Sequence, residues 1–127
     1  MARLSIRIAF DGAEPFGPGK ARLLELIDRE GSIRAADKEM SMSYRHAWLL
    51  VQAVEETFGA PVIATSTGGA GGGGAKLTEL GKKLLDRYRA IEANATRAAA
   101  ADLDELARAA GKEMADHRPG KKREGQR

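Results

Sequence analysis

GSIRAADKEMSMSYRHAWLLV, residues 31–51, decides the fold. Ser32 follows a glycine and carries a side-chain oxygen suited to cap a helix N-terminus. Behind it, Ile33, Ala35 and Ala36 give a short helix a slim apolar side, and that helix is expected to end near Met40. Ser41 and Met42 then make a tight turn, with Met42 buried beneath it. Ser43 caps a longer helix on which Ala47, Leu50, Val51, Val54 and Phe58 share one face, and Gly59 stops it. The small alanines let the two helices cross closely. Two helices joined by so short a turn form a helix-turn-helix, whose second helix is shaped to enter the major groove of DNA.

The flanks agree with this reading. Upstream, Leu4, Ile6, Ile8 and Phe10 alternate with Ser5, Arg7 and Ala9, the period-two pattern of a half-buried strand. DGAEPFGPG, residues 11–19, is a loop, and from Lys20 the spacing of Leu23, Leu24 and Ile27 predicts a helix that Gly31 ends. Downstream, residues 61–66 and 75–77 read as the strands of a hairpin, joined by a glycine-rich connection. Thr78 caps a fourth helix with Leu80, Leu84, Tyr88, Ile91 and Ala95 along one stripe. That stripe is either a dimer seam or a face packed on its own domain. The phase slips in TRAAAA, residues 96–101, and resumes at Leu103, Leu106 and Ala110. One kinked helix or two satisfies the pattern, with Asp102 capping the second. The expected fold class is mainly α with a small β wing: a winged helix-turn-helix over residues 1–78, a C-terminal dimerisation helix or helices over 79–110, and a basic, disordered tail over 111–127.

Bulk composition narrows the function classes. At 127 residues, with 43% hydrophobic and 31% charged residues, the chain is long enough for one modest core, which a dimer would enlarge. It has no cysteine, which excludes disulfides, thiolate metal sites and cysteine nucleophiles. No apolar run approaches the roughly 18 residues that span a bilayer, and MARLSIRIAF lacks a signal-peptide core, so a cytoplasmic location without membrane attachment is expected. The net charge of +3 is carried largely by the tail and by itself decides nothing.

At the residue level, residues 31–51 resemble the helix-turn-helix of the ModE molybdate-responsive regulators, which share a winged-helix architecture with the LysR-type proteins. STGGAGGGGAKLTELGKKLLDRY, residues 66–88, resembles that family's wing and the start of its linking helix. The resemblance runs from about Leu4 to Ala93, and the glycine-rich wing followed by Leu77, Thr78 and Gly81 is its most specific part. It implies a DNA-binding homodimer that regulates genes of molybdate transport or molybdenum enzymes. The family usually adds C-terminal molybdate-binding repeats. After residue 111 this sequence has no room for them, so a single-domain form is expected and molybdate stays a possible partner without a recognisable binding domain.

Position assigns the candidate contacts. Tyr44, Arg45, Trp48 and Gln52 lie opposite the apolar stripe of the third helix; Arg45 suits guanine or a phosphate, and Gln52 suits adenine. Trp48 is equally suited to a packing role. Ser32 and Ser43 cap helices whose free amides suit phosphate oxygens, and Arg34 and Lys38 are phosphate candidates. Thr65, Ser66, Thr67 and Lys76 would meet the DNA backbone from the wing, where glycines 68, 69 and 71–74 permit close approach.

Other classes are weaker. No nucleophile, base and orienting group stand in motif context, so no catalytic residue, cofactor or metal site is assigned. His46 has only His117 as a possible co-ligand. The glycine run lacks the Lys-Ser/Thr of a phosphate loop and joins two strands. Two alternatives remain open. One is an oxyanion sensor at a dimer interface, with donors from Lys20, Arg22 and the glycine loop; the other is a low-specificity architectural DNA-binding protein.

Overall fold

A computed structural model describes residues 2–66 and 73–116, with side chains as far as Gly111. The elements run α1 (Pro18–Glu30), α2 (Ile33–Glu39), α3 (Tyr44–Phe58), β1 (Ile63–Ser66), β2 (Gly74–Leu77), α4 (Glu79–Ala98) and α5 (Ala100–Asp116). This is a mainly helical fold with a two-stranded antiparallel sheet, in the element order of a winged helix-turn-helix. Residues 5–91, apart from the undescribed 67–72, form one compact unit, and residues 2–4 and 92–116 belong to a second.

The first unit is built around α1. Its Ala21, Leu23, Leu24, Leu26 and Ile27 are all buried, joined by Phe16, Ile33, Ala36, Ala47, Val51, Val54, Val62, Ile63, Ala75, Leu77 and Tyr88. Pro18 starts α1 with a φ already helical and no amide to leave unpaired. Lys20, in the first turn, is buried, and its Nζ donates to the Pro15 carbonyl at 2.8 Å and stands 3.6 Å from Glu14 Oε1, fastening the preceding loop. At the other end Gly31 takes a left-handed φ of 77° and donates to the Ile27 carbonyl at 2.9 Å.

Gly31 also reaches forward. Its carbonyl accepts from the Ala75 amide at 2.9 Å, which fixes β2 to the junction of α1 and α2. In the hairpin Ile63 pairs with Leu77, Ala64 with Lys76, Thr65 with Ala75 and Ser66 with Gly74. Alternation then puts Ala75 and Leu77 into the core and Lys76 into solvent. The residues between Ser66 and Gly73, Thr67 among them, lie outside the described residues.

The N-terminal segment departs from expectation. Burial does alternate, with Leu4, Ile6, Ile8 and Phe10 half-buried and Ser5, Arg7 and Ala9 exposed. Yet the segment forms one antiparallel bridge, Ile8 to Phe16, rather than a strand. The reason lies in the partner: Phe16 is followed at once by Gly17 and Pro18, and the chain turns into α1 before a ladder can extend. Aromatic packing holds the segment instead, with Phe10 edge-on to Phe58 at 5.3 Å.

The link from α3 to α4 is closed by four hydrogen bonds. Glu55 Oε2 accepts from the Val62 amide at 2.9 Å, and the Val62 carbonyl accepts from the Thr78 amide at 3.0 Å. The Thr78 hydroxyl donates to the Pro61 carbonyl at 2.8 Å and accepts from the Gly81 amide at 3.1 Å, capping α4. Leu80, Leu84 and Leu85 lean on the core, and Tyr88 is fully buried, edge-on to Phe16 at 5.1 Å with its hydroxyl donating to the Ile6 carbonyl at 2.6 Å. The first half of the α4 stripe therefore packs within its own unit, which leaves Ile91 exposed beyond it.

In the second unit, α4 gives way to α5 at Ala99 with little interruption. The Ala99 amide still reaches the Ala95 carbonyl, and the Leu103 amide the Ala99 carbonyl, both at 2.9 Å. Asp102 sits in the first turn of α5 and does not cap it. Leu106 is 65% exposed. The helix continues to Asp116, past the Gly111 boundary expected from the sequence, and the basic residues 117–127 lie outside the described residues. No described helix is long and apolar enough to cross a membrane.

Two glycines test this account. A Cβ on Gly81 would sit 2.2 Å from the Val62 carbonyl oxygen, so Gly81→Ala is expected to cost at least about 2–3 kcal/mol by forcing α4 off the sheet. Gly31 has open space around its Cβ position, so Gly31→Ala should cost only the left-handed backbone penalty, about 1–2 kcal/mol. Urea denaturation of both variants measures the two losses, and equal or negligible losses would contradict the packing described.

Candidate nucleic-acid interface

The turn between α2 and α3 sets the direction of the outward face of α3. Asp37's carbonyl accepts from the Met42 amide at 3.0 Å, Lys38's accepts from the Ser41 amide at 3.2 Å, and Ser41 adopts a left-handed φ of 55°. Met42, expected to be buried, is half-buried and packs on the core. Both caps form as the sequence indicates: Ser32 Oγ accepts from the Ala35 amide and Ser43 Oγ from the His46 amide, each at 3.0 Å. Ser43 is exposed at the start of α3, and Ser32 is half-buried.

Along α3 the inner face is Ala47, Val51 and Val54, all buried. The opposite face carries Arg45 and Gln52, both exposed, whose side chains have no hydrogen-bond or ion-pair partner among the described residues. Tyr44 and Trp48 take a different place. Trp48 is half-buried and packs against the core, Tyr44 meets it edge-on at 6.4 Å, and the Arg34 guanidinium lies 4.3 Å from the Tyr44 ring centroid. These three form a stack that joins α2 to α3, and a cation over an aromatic face is stabilising. Trp48 therefore packs beside the outward face of α3 instead of standing in it.

Lys38 is exposed on α2, and Asp37 beside it turns inward, 7% exposed, with an Oδ2 that has no hydrogen-bond partner among the described residues. Thr65 and Ser66 on β1 and Lys76 on β2 are exposed. At Gly73 a Cβ would fall 2.8 Å from the Ser66 carbonyl oxygen, so the turn at this end of β2 needs glycine. Lys20, considered above as an oxyanion donor, is spent on Pro15 and Glu14, whereas Arg22 is exposed. Among the described residues no three His, Asp or Glu side chains are grouped to hold a metal ion.

One outward residue escaped the sequence reading. Leu49 is 47% exposed and stands on the same face as Arg45 and Gln52. Its spacing, four residues after Arg45 and three before Gln52, was the signal that could have found it.

No protein-family model matches the sequence. Individual proteins do. The molybdenum-pterin-binding protein MopB of Rhodobacter capsulatus is 48% identical over 77 residues, which is 61% of this chain and 28% of that protein. The molybdenum transport protein ModE of Azotobacter vinelandii is 36% identical over 92 residues, 72% of this chain and 33% of that one. The DNA-binding transcriptional dual regulator ModE of Escherichia coli is 35% identical over 71 residues, 56% of this chain and 27% of its own. The chain thus spans about a third of the length of the relatives it matches.

The cap on α3 gives a direct test of the surface's foundation. Ser43→Ala is expected to lower stability by about 1 kcal/mol and Ser43→Gly by a few tenths, because glycine leaves the amide open to water. Thermal melts of the two variants measure the difference. A Ser43→Ala protein as stable as the parent would mean that α3 does not rely on this cap.

Proposed function

We propose that the chain is a sequence-specific DNA-binding regulator of transcription, with residues 1–78 meeting the DNA, residues 79–110 joining two copies, and the target genes belonging to molybdenum uptake or use. The observation that carries this reading is the outward face of α3, where Arg45 and Gln52 are exposed and uncommitted on a helix capped at both ends. Such a face has the width and the donor set to read base edges in a major groove. The relatives support the regulatory class, since several bear the name of transcriptional regulator, and their molybdenum-related names support the choice of genes.

In this reading Arg45 contacts guanine or a phosphate and Gln52 an adenine. Ser32, Arg34, Lys38, Ser43 and Tyr44 hold the neighbouring phosphates, with Trp48 supporting Tyr44 from behind. Thr65, Ser66, Thr67 and Lys76 meet the backbone along the wing. Leu106, 65% exposed on α5, is an apolar side chain suited to a seam between two copies. A two-fold dimer would set two recognition helices about one DNA turn apart, on a pseudo-palindromic site.

Titration against the promoter of a molybdate-transport operon, with a scrambled duplex as competitor at physiological salt, tests the reading. A preference of about a thousandfold or more is expected. Equal affinity for both duplexes would instead identify an architectural protein. On the preferred site, Arg45→Ala is expected to cost about 1–3 kcal/mol, while Lys38→Ala should weaken all duplexes alike and reduce the salt slope by about one. Equal losses for Arg45→Ala on specific and random DNA would make Arg45 a phosphate contact.

A further inference from the structure

Leu49 is a large aliphatic side chain in the middle of an otherwise polar row. At about 100° per residue, Arg45, Leu49, Gln52 and Glu56 fall within an arc of about 60°, directly opposite buried Ala47, Val51 and Val54. Leu49 is 47% exposed at one edge of that arc, between Arg45 and Gln52 along the helix. A scattered surface leucine needs no explanation, but this one stands between Arg45 and Gln52 on the face that the proposed function turns toward DNA. Whatever it meets there must be apolar, since a leucine can neither donate nor accept. The floor of the major groove offers one apolar group, the C5 methyl of thymine.

We propose that Leu49 selects thymine, its side chain packing on the C5 methyl of a base pair that lies between those met by Arg45 and Gln52. The inference rests on the DNA-binding reading above and deepens it. It adds a specificity element that acts by apolar contact and is therefore nearly independent of salt, unlike the phosphate contacts around it. With Gln52 suited to adenine one turn further along α3, each half-site is expected to carry an A·T-rich step beside the base read by Arg45.

The test removes the methyl and nothing else. The full chain is used to enrich a duplex from a random pool of about 30 base pairs, long enough for two half-sites one turn apart. Each thymine of the enriched duplex is then replaced in turn by deoxyuridine. One position per half-site should weaken binding roughly fourfold, the worth of one buried methyl group. With Leu49→Ala the same replacement should have no effect, while every other position behaves as in the parent. A tightly and specifically bound duplex on which no deoxyuridine replacement matters would overturn the assignment of Leu49 and leave the regulator reading intact. So would a methyl effect that persists unchanged in Leu49→Ala. Failure of the pool to enrich any sequence would overturn both. The scan on the parent protein by itself can overturn the assignment, and the Leu49→Ala scan ties a positive result to this side chain.

Discussion

The hydrogen bond from the Ala75 amide to the Gly31 carbonyl is the constraint on which the rest of the first unit depends. Gly31 ends α1, precedes the cap of α2 and anchors β2 in a single residue. Its left-handed φ of 77° turns the carbonyl out of the helix, where the strand can use it. The direction of α2 and the root of the hairpin are therefore set by one backbone conformation. Because α3 follows α2 through a turn that is itself closed by backbone bonds, the orientation of the outward face is inherited from this junction. The hairpin and the helix-turn-helix are two consequences of one turn, which is why so few residues suffice for both.

Within α3 the two faces divide their work cleanly. Ala47, Val51 and Val54 are committed to the core, and Arg45, Leu49 and Gln52 to solvent. Substitutions on the outward face therefore leave packing almost untouched. The Arg34, Tyr44 and Trp48 stack is the exception. It lies at the edge between the faces, and its members bear on both packing and surface.

Much of this was legible because local chemistry and global fold agree. Ser32, Ser43 and Thr78 cap the helices their positions suggest, and Gly31 and Gly59 stop the helices they follow. What was not legible depended on partners far away in sequence. The alternation of Leu4 to Phe10 is a true record of burial, but it cannot reveal that Phe16 lacks the length to complete a ladder. The stripe on α4 has the right spacing for a seam, and periodicity cannot say that Leu80, Leu84 and Tyr88 are already occupied within their own unit. Trp48 had two readings on pattern alone, and its partial burial and ring contact with Tyr44 were not visible in the spacing. Leu49 was missed for the opposite reason: an aliphatic residue attracts no attention until its exposure is known.

Tyr88 has a consequence for the order in which the chain can be assembled. It is the buried aromatic that holds Phe16, and its hydroxyl binds the Ile6 carbonyl across 82 residues of sequence. Contacts of such separation are formed late, since the loop they close must be ordered first. During synthesis the first strand-like residues have no partner from α4 until position 88 has left the ribosome, several seconds after they themselves emerge at roughly 5–20 residues per second. The helix-turn-helix, made of near neighbours, can form in that interval. The residues around Ile6 are thus made well before they can be locked.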